Sequence, residues 1–183
     1  MAFDLLREIV KNKFLLFLME EKEYVRKLEE IIKSVGKTKT KICYVCMSKP
    51  YADVSKELED RGIDISNFFF IDVLTSYYKE PEPAGNCIFV RNPNDFAAIR
   101  AAISRTISEK QCSVLLFDTI STMLIYQETS SVVKFTHHLL SEKGQENVKK
   151  LFIVLKHDTV PMEENQKLVK DLEMFADKTL DMG

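Results

Sequence analysis

Glycine is scarce in this chain, five residues in 183, and that scarcity excludes more than any residue present. A phosphate-binding loop needs glycines at set spacings, so that backbone N–H groups approach the phosphates at the opening of a helix. Gly36, Lys37 and Thr38 spell the last three letters of that pattern, but Ile31 stands where its first glycine belongs. The order of elements is also reversed. Residues 21–35 carry helical spacing and residues 41–47 strand character, so this GKT closes a helix and leads into a strand. The three residues therefore read as a solvated helix-to-strand connection, with Gly36 ending the helix in the left-handed conformation that glycine adopts cheaply.

Long apolar runs and a charge excess are missing as well. The run FLLFL at residues 14–18 falls far short of the about 20 residues that span a bilayer. Twenty-six Lys plus Arg against 28 Asp plus Glu leave a formal charge of −2, with the basic residues interspersed among acidic ones. Neither nucleic acid nor a membrane is expected as a partner. Asp4, Arg7 and Glu8 interrupt the first ten residues, which suits an amphipathic helix better than the core of a signal peptide and gives a cytoplasmic expectation.

Four cysteines complete the exclusions. Cys43 and Cys46 form a CxxC inside the expected strand, where residues three apart point to opposite faces and cannot share a metal or a disulfide. Buried, reduced thiols are the reading for these and for Cys87 and Cys112. His137 and His138, about 100° apart on a helix, cannot easily share a metal either; one is expected to pack and the other to be solvated. No nucleophile elbow, Ser–His–Asp spacing or metal-ligand cluster stands out.

What is present is an unbroken alternation of strand and helix. Strands are expected at residues 14–19, 41–47, 68–73, 87–90, 113–118 and 149–158, with a further one near 177–183. Helices are expected at 21–35, from Pro50 to Gly62, from about 95 to 110, at 129–143 and at 162–176, with a polar connection over 74–86. This pattern predicts one α/β domain over residues 1–183, a doubly wound, mostly parallel sheet with helices on both faces. In such sheets ligands sit beyond the carboxyl ends of the strands. The residues there are Glu20, Glu21 and Lys22, then Ser48 and Lys49, then Asp118, Thr119 and Ser121, and finally His157. His157 has a second reading as a surface loop histidine, and Asp118 one as a cap of the loop that begins at Thr119. Tyr77 and Tyr78 stand in the polar connection as a lid, a partner contact or a cover for the sheet edge.

At these strand ends the chain resembles a known family. SVLLFDTIST, residues 113–122, resembles the strand and sensor region of RecA-superfamily ATPases of the KaiC type. There an aspartate closing an apolar strand, followed by a hydroxyl residue, helps hold the magnesium of ATP. ICYVCMSKPYADVSKELEDRGID, residues 42–64, is similar to the family's second strand and helix, and FADKTLDMG, residues 175–183, to its closing strand. The element order fits over residues 13–183, most like small archaeal proteins related to KaiC. The resemblance implies a RecA-like three-layer sandwich, with Asp118 and Thr119 in the magnesium position.

The departures set the functional expectation. Where active relatives carry the glycine-rich loop, EEKEYVRK at residues 20–27 has no glycine. Its glutamates put negative charge where phosphates would lie, and two unit charges at about 4 Å repel by roughly 4 kcal/mol at an effective dielectric of 20. Ser48 and Lys49 occupy the places of the adjacent glutamates that activate water in active relatives. The expectation is a degenerate, catalytically inactive domain with no cofactor, acting as a regulatory or protein-interaction module. The alternatives are a protein that binds ATP with magnesium or another small ligand at the strand ends, and an enzyme of unrelated chemistry. Glu20, Glu21 and Lys22 are expected to open the first long helix, with Lys49 paired to one of the glutamates or to Asp118. Self-association, a dimer in the first instance, is expected through Phe3, Leu5, Leu6, Ile9 and Val10, the alternative being that this segment packs on its own domain.

Overall fold

The chain is described by a computed structural model that covers residues 4–156 and 160–183. Seven parallel strands form one sheet: β1 (Phe14–Glu20), β2 (Ile42–Cys46), β3 (Phe68–Asp72), β4 (Cys87–Phe89), β5 (Val114–Asp118), β6 (Lys149–Lys156) and β7 (Lys178–Asp181), in the order β4-β3-β2-β5-β6-β1-β7. Every pairing is parallel, so the expected sheet is present and wholly rather than mostly parallel. The reason is visible in the strands themselves. Residues of β2 and β5 are buried on both faces, the condition under which a strand reads as a continuous apolar run.

Helices α1 (Leu5–Lys11), α2 (Tyr24–Gly36) and α3 (Tyr51–Asp60) cover one face. Helices α5 (Phe96–Lys110), α6 (Thr129–Leu140) and α7 (Met162–Glu173) cover the other, and the short α4 (Thr75–Tyr78) lies in the connection between β3 and β4. The strands divide their side chains between two cores. Phe14, Leu16, Cys43 and Val45 join the α5–α7 side, whereas Leu15, Phe17, Tyr44 and Cys46 join the α1–α3 side. Cys43 and Cys46 therefore diverge as the period of two requires, and all four cysteines are free thiols.

Several local expectations are corrected. Residues Glu21–Glu23 form a 3-10 turn, and α2 opens at Tyr24 rather than at Glu21. Gly36 belongs to α2 and Lys37 continues right-handed; the left-handed residue is Lys39, with φ of 53°. Thr38 donates its hydroxyl to the Val35 carbonyl at 2.6 Å, which satisfies a helix-end acceptor without a glycine turn. Gly36 and Lys37 are exposed, as a solvated connection requires. Gly62, at φ of 72°, does end the α3 turn in the way expected of Gly36. Both His137 and His138 are exposed, although the His137 ring lies 5.5 Å from that of Phe175.

The N-terminal segment buries Leu5 and Ile9 in the α1–α3 core, so its apolar face is taken up by its own domain; Phe3 lies outside the described residues. Val10 stays exposed. No helix among the described residues is long and apolar enough to cross a membrane.

Candidate functional site

The parallel register brings the carboxyl ends of neighbouring strands level. Cys46 of β2 lies between Asp72 of β3 and Asp118 of β5, and Glu20 of β1 pairs with Lys156 of β6. Two buried aspartates thus flank one strand end, and the protein treats them differently.

Asp118 is 1% exposed. Its backbone carbonyl accepts from the N–H groups of Met47 at 2.7 Å and Ser48 at 3.2 Å, which fixes the chain leaving β2. Its carboxylate does not cap the loop beginning at Thr119. The Tyr24 hydroxyl donates to Oδ1 at 2.7 Å and to Oδ2 at 2.6 Å, and the Tyr44 hydroxyl donates to Oδ2. Tyr24 stands in the first turn of α2 and Tyr44 in the middle of β2, so the carboxylate ties helix, strand and strand together. The Ser48 hydroxyl lies 3.4 Å from that of Tyr24. Burial pushes the Asp118 carboxyl up to about 6, with the two tyrosine hydroxyls pulling it back down. Burial and the neighbouring Asp118 charge push both tyrosines well above their ordinary value. Hydrogen bonds to the charged form and loss of hydration oppose each other here, and loss of hydration prevails.

Lys49 supplies no counter-charge by contact. Its ammonium pairs with Glu57, at 2.6 and 2.9 Å, and not with Glu20, Glu21 or Asp118, which corrects the expected pairing. A residue one position past a strand end can aim along the following helix as readily as across the sheet, and α3 offers Glu57 there. Glu21 and Lys22 are exposed on the 3-10 turn, and Glu20 is half-exposed. Glu23 pairs with Arg26 within the first turn of α2.

Thr119 and Ser121 are fully buried. The Thr119 hydroxyl meets that of Thr122 at 2.5 Å. Beyond the pairing of Phe117 with Phe152, β6 runs on without β5 beside it. There the Leu155 N–H donates to the Ser121 hydroxyl at 3.1 Å, and Asn165 of α7 donates its side-chain amide to the Leu155 carbonyl at 2.7 Å. Ser121 and Asn165 thus replace a missing strand neighbour, as buried backbone groups require. His157, the remaining expected site residue, lies outside the described residues.

Asp72 went unnoticed in the sequence. Fully buried, it accepts from the Tyr51, Leu74 and Thr75 N–H groups at 2.7 to 2.8 Å and from the Thr75 hydroxyl at 2.6 Å. Four donors satisfy its charge and cap the openings of α3 and α4. Among the described residues the Asp118 carboxylate has only hydroxyl donors. The structure therefore brings Asp118 and Ser48 together with Tyr24 and Tyr44, neither tyrosine among the expected site residues. Their signal was a polar ring inside an otherwise apolar pattern, at a strand centre and a helix start. No group of three or more His, Cys, Asp or Glu among the described residues is placed to hold a metal ion.

Comparison with known proteins bears on the fold. No family model matches the sequence, and no curated protein matches it. Among solved structures, a KaiC-like protein from the hyperthermophilic archaeon Pyrococcus horikoshii superposes over 92% of this chain and 70% of its own, with a TM-score of 0.62 at 13% identity. The chain has the RecA-like three-layer fold of the KaiC type.

Proposed function

We propose that residues 1–183 form one cytoplasmic domain in which a KaiC-type scaffold has lost ATP chemistry and serves as a regulatory or protein-interaction module. The observation that carries the reading is the sealed Asp118 carboxylate, 1% exposed with both oxygens engaged by tyrosine hydroxyls. Magnesium with ATP would need that carboxylate open to a hydrated cation and a backbone cradle for the phosphates. The residues present do not fit the group. The Glu20–Glu23 turn has no glycine, and it sets Glu20, Glu21 and Glu23 at the positive end of the α2 dipole, where their own negative charge takes the place of a phosphate and repels one. Tyr24 is buried at the α2 opening. Ser48 is a neutral hydroxyl, and Lys49 is held by Glu57, so neither provides a carboxylate base.

A protein partner is supported by the aromatic surface on α4. Tyr77 and Tyr78 stack edge to face at 5.1 Å while remaining 53% and 73% exposed. Tyrosines presented this way are the type of surface that partners bury. Self-association belongs to the same proposal, a two-fold dimer being the simplest assembly; with Leu5 and Ile9 buried at home, it would use such a surface rather than α1. Light scattering that reports a concentration-independent monomer mass removes that part.

A thermal-shift titration with magnesium and ATP, run beside a phosphate-release assay, tests the main reading. A ligand at 100 times its Kd adds about 2.7 kcal/mol, roughly 5–10 °C for a chain of this size. The expected result is no shift and no turnover. A shift of that order, or turnover that disappears in Asp118→Ala, overturns the proposal.

A further inference from the structure

Lysines are interspersed with acidic residues along the sequence, but a wholly parallel sheet gathers every segment that leads into a strand at one edge. At that amino edge Lys37, Lys39 and Lys41 lead into β2, and Lys110 closes α5 just before β5. The Lys41 carbonyl accepts from the Ser113 N–H at 3.0 Å and the Lys149 N–H donates to the Ser113 carbonyl at 2.8 Å, so the row passes from β2 through β5 to β6. The Lys150 N–H donates to the Lys13 carbonyl at 2.7 Å, which carries the row on to β1.

The β2–β5 part of this row is open. Lys37, Lys39, Lys41 and Lys110 are exposed, and none of them forms an ion pair among the described residues. Thr38 and Thr40 alternate with the first three, half-buried and bonded hydroxyl to hydroxyl at 2.8 Å, and Thr38 is tied to the Val35 carbonyl, so a fixed segment presents the lysines. Burial pushes the Cys112 thiol up to about 11 while Lys41 and Lys110 pull it down, so both ammoniums act on the same buried group. Glu109, beside Lys110 in the chain, is taken by Arg105 at 2.9 Å. Like charges held together repel, and an anionic partner relieves that repulsion.

We propose that this amino edge docks an acidic polypeptide segment, its carboxylates meeting Lys37, Lys39, Lys41 and Lys110. The inference rests on the reading of the chain as a protein-interaction module and adds the chemistry of a partner. Arginine is the side chain that recognises phosphate through a planar fork, and Arg61, at the end of α3, and Arg105 of α5 are held by Glu29 and Glu109. Phe69 at the opening of β3 is half-buried beneath Lys110, whose ammonium lies 5.5 Å from the ring centre, so it offers no open face on which a base could stack. A formal charge of −2 gives the chain no long-range attraction to a duplex or an anionic membrane, whereas a local cluster acts within a Debye length of about 8 Å.

The test is fluorescence polarisation of a labelled oligoglutamate peptide with the full chain, beside labelled oligouridylate and co-sedimentation with phosphatidylserine vesicles. The peptide is expected to bind saturably at low salt and more weakly at about 0.15 M. An exposed ion pair is worth about 1.4- to 5-fold in affinity. The double variant Lys39→Glu with Lys41→Glu removes two attractions and adds two repulsions, so it should weaken binding at least about tenfold by that arithmetic. Lys110→Glu, on a separate element, should weaken it about fivefold on the same basis. Lys134→Glu makes the same charge change on α6 and should leave the affinity unchanged. No saturable binding at millimolar peptide, tighter binding of oligouridylate or vesicles, undiminished affinity in both edge variants, or an equal loss in Lys134→Glu each overturn the proposal. Those results leave the loss of ATP chemistry untouched, and ATP turnover would instead overturn the reading on which the proposal rests.

Discussion

Replacing Asp118 by asparagine changes one charge and almost no volume, at a position with no cation in contact among the described residues. The carboxyl is raised from its ordinary 3.8 to about 6 by burial. A raised acid binds its proton more tightly in the folded state, so between those two values the folded protein holds more protons than the unfolded chain. Stability from this group is fully present below pH 3.8, falls as pH rises through 6, and is flat above. The gap corresponds to about 3 kcal/mol at 1.36 kcal/mol per pH unit. Asparagine carries no charge to desolvate, keeps one oxygen acceptor, and turns its amide N–H groups toward tyrosine oxygens that can accept. Asp118→Asn should therefore be more stable than the parent by about 1–3 kcal/mol at pH 7.5, the lower figure allowing for the weaker neutral hydrogen bonds. At pH 4 the two proteins should be equal within about 0.5 kcal/mol.

The assay is urea unfolding followed by circular dichroism at pH 4, 5, 6 and 7.5, read as the difference between variant and parent. The difference is needed because other carboxylates run oppositely. Glu23, Glu29 and Asp181 are held below their ordinary range by Arg26, Lys33 and Lys156, so each contributes stability that is lost as pH falls. Those contributions cancel between the two proteins. A difference that stays constant with pH, or a variant less stable than the parent at pH 7.5, would refute the reasoning. It would mean that the two tyrosines solvate the Asp118 charge as well as water does.

The same cluster predicts that Tyr24→Phe lowers stability at pH 7.5 by about 1.5–3 kcal/mol, the worth of a hydrogen bond to a charged group, and by less at pH 4; a loss that does not depend on pH in the same unfolding series would count against it. Lys37→Ala should leave stability within about 0.5 kcal/mol, as exposed substitutions do, a larger loss showing that the GKT segment has a role not assigned to it. Burial pushes the Cys43 and Cys46 thiols well up, so neither should react with a thiol reagent in the folded protein. Rapid labelling without denaturant, followed by mass spectrometry, would contradict their placement in two separate cores.

The alternation of strands and helices, the two-sided burial of β5, and the divergence of Cys43 from Cys46 were all legible in the chain. Each follows from periodicity, and periodicity is local: a period of two or 3.6 is written in consecutive residues and survives without knowledge of what lies opposite. The absence of a glycine loop was equally local. What escaped were choices among partners distant in sequence. Lys49 had glutamates on two elements within reach and took Glu57 on α3. Asp118 and Asp72 each close an apolar strand and look alike as letters. Only the packing of Tyr24, twenty residues before Tyr44 and 94 before Asp118, separates a carboxylate under two phenols from one held by backbone N–H groups. Asn165 likewise sits in an ordinary amphipathic helix until β6 is seen to outrun β5 and leave the Leu155 backbone needing a donor. A hydrogen bond acts over about 3 Å, so its partners are decided by which residues the finished sheet and helices bring that close, and no spacing along the chain states that distance.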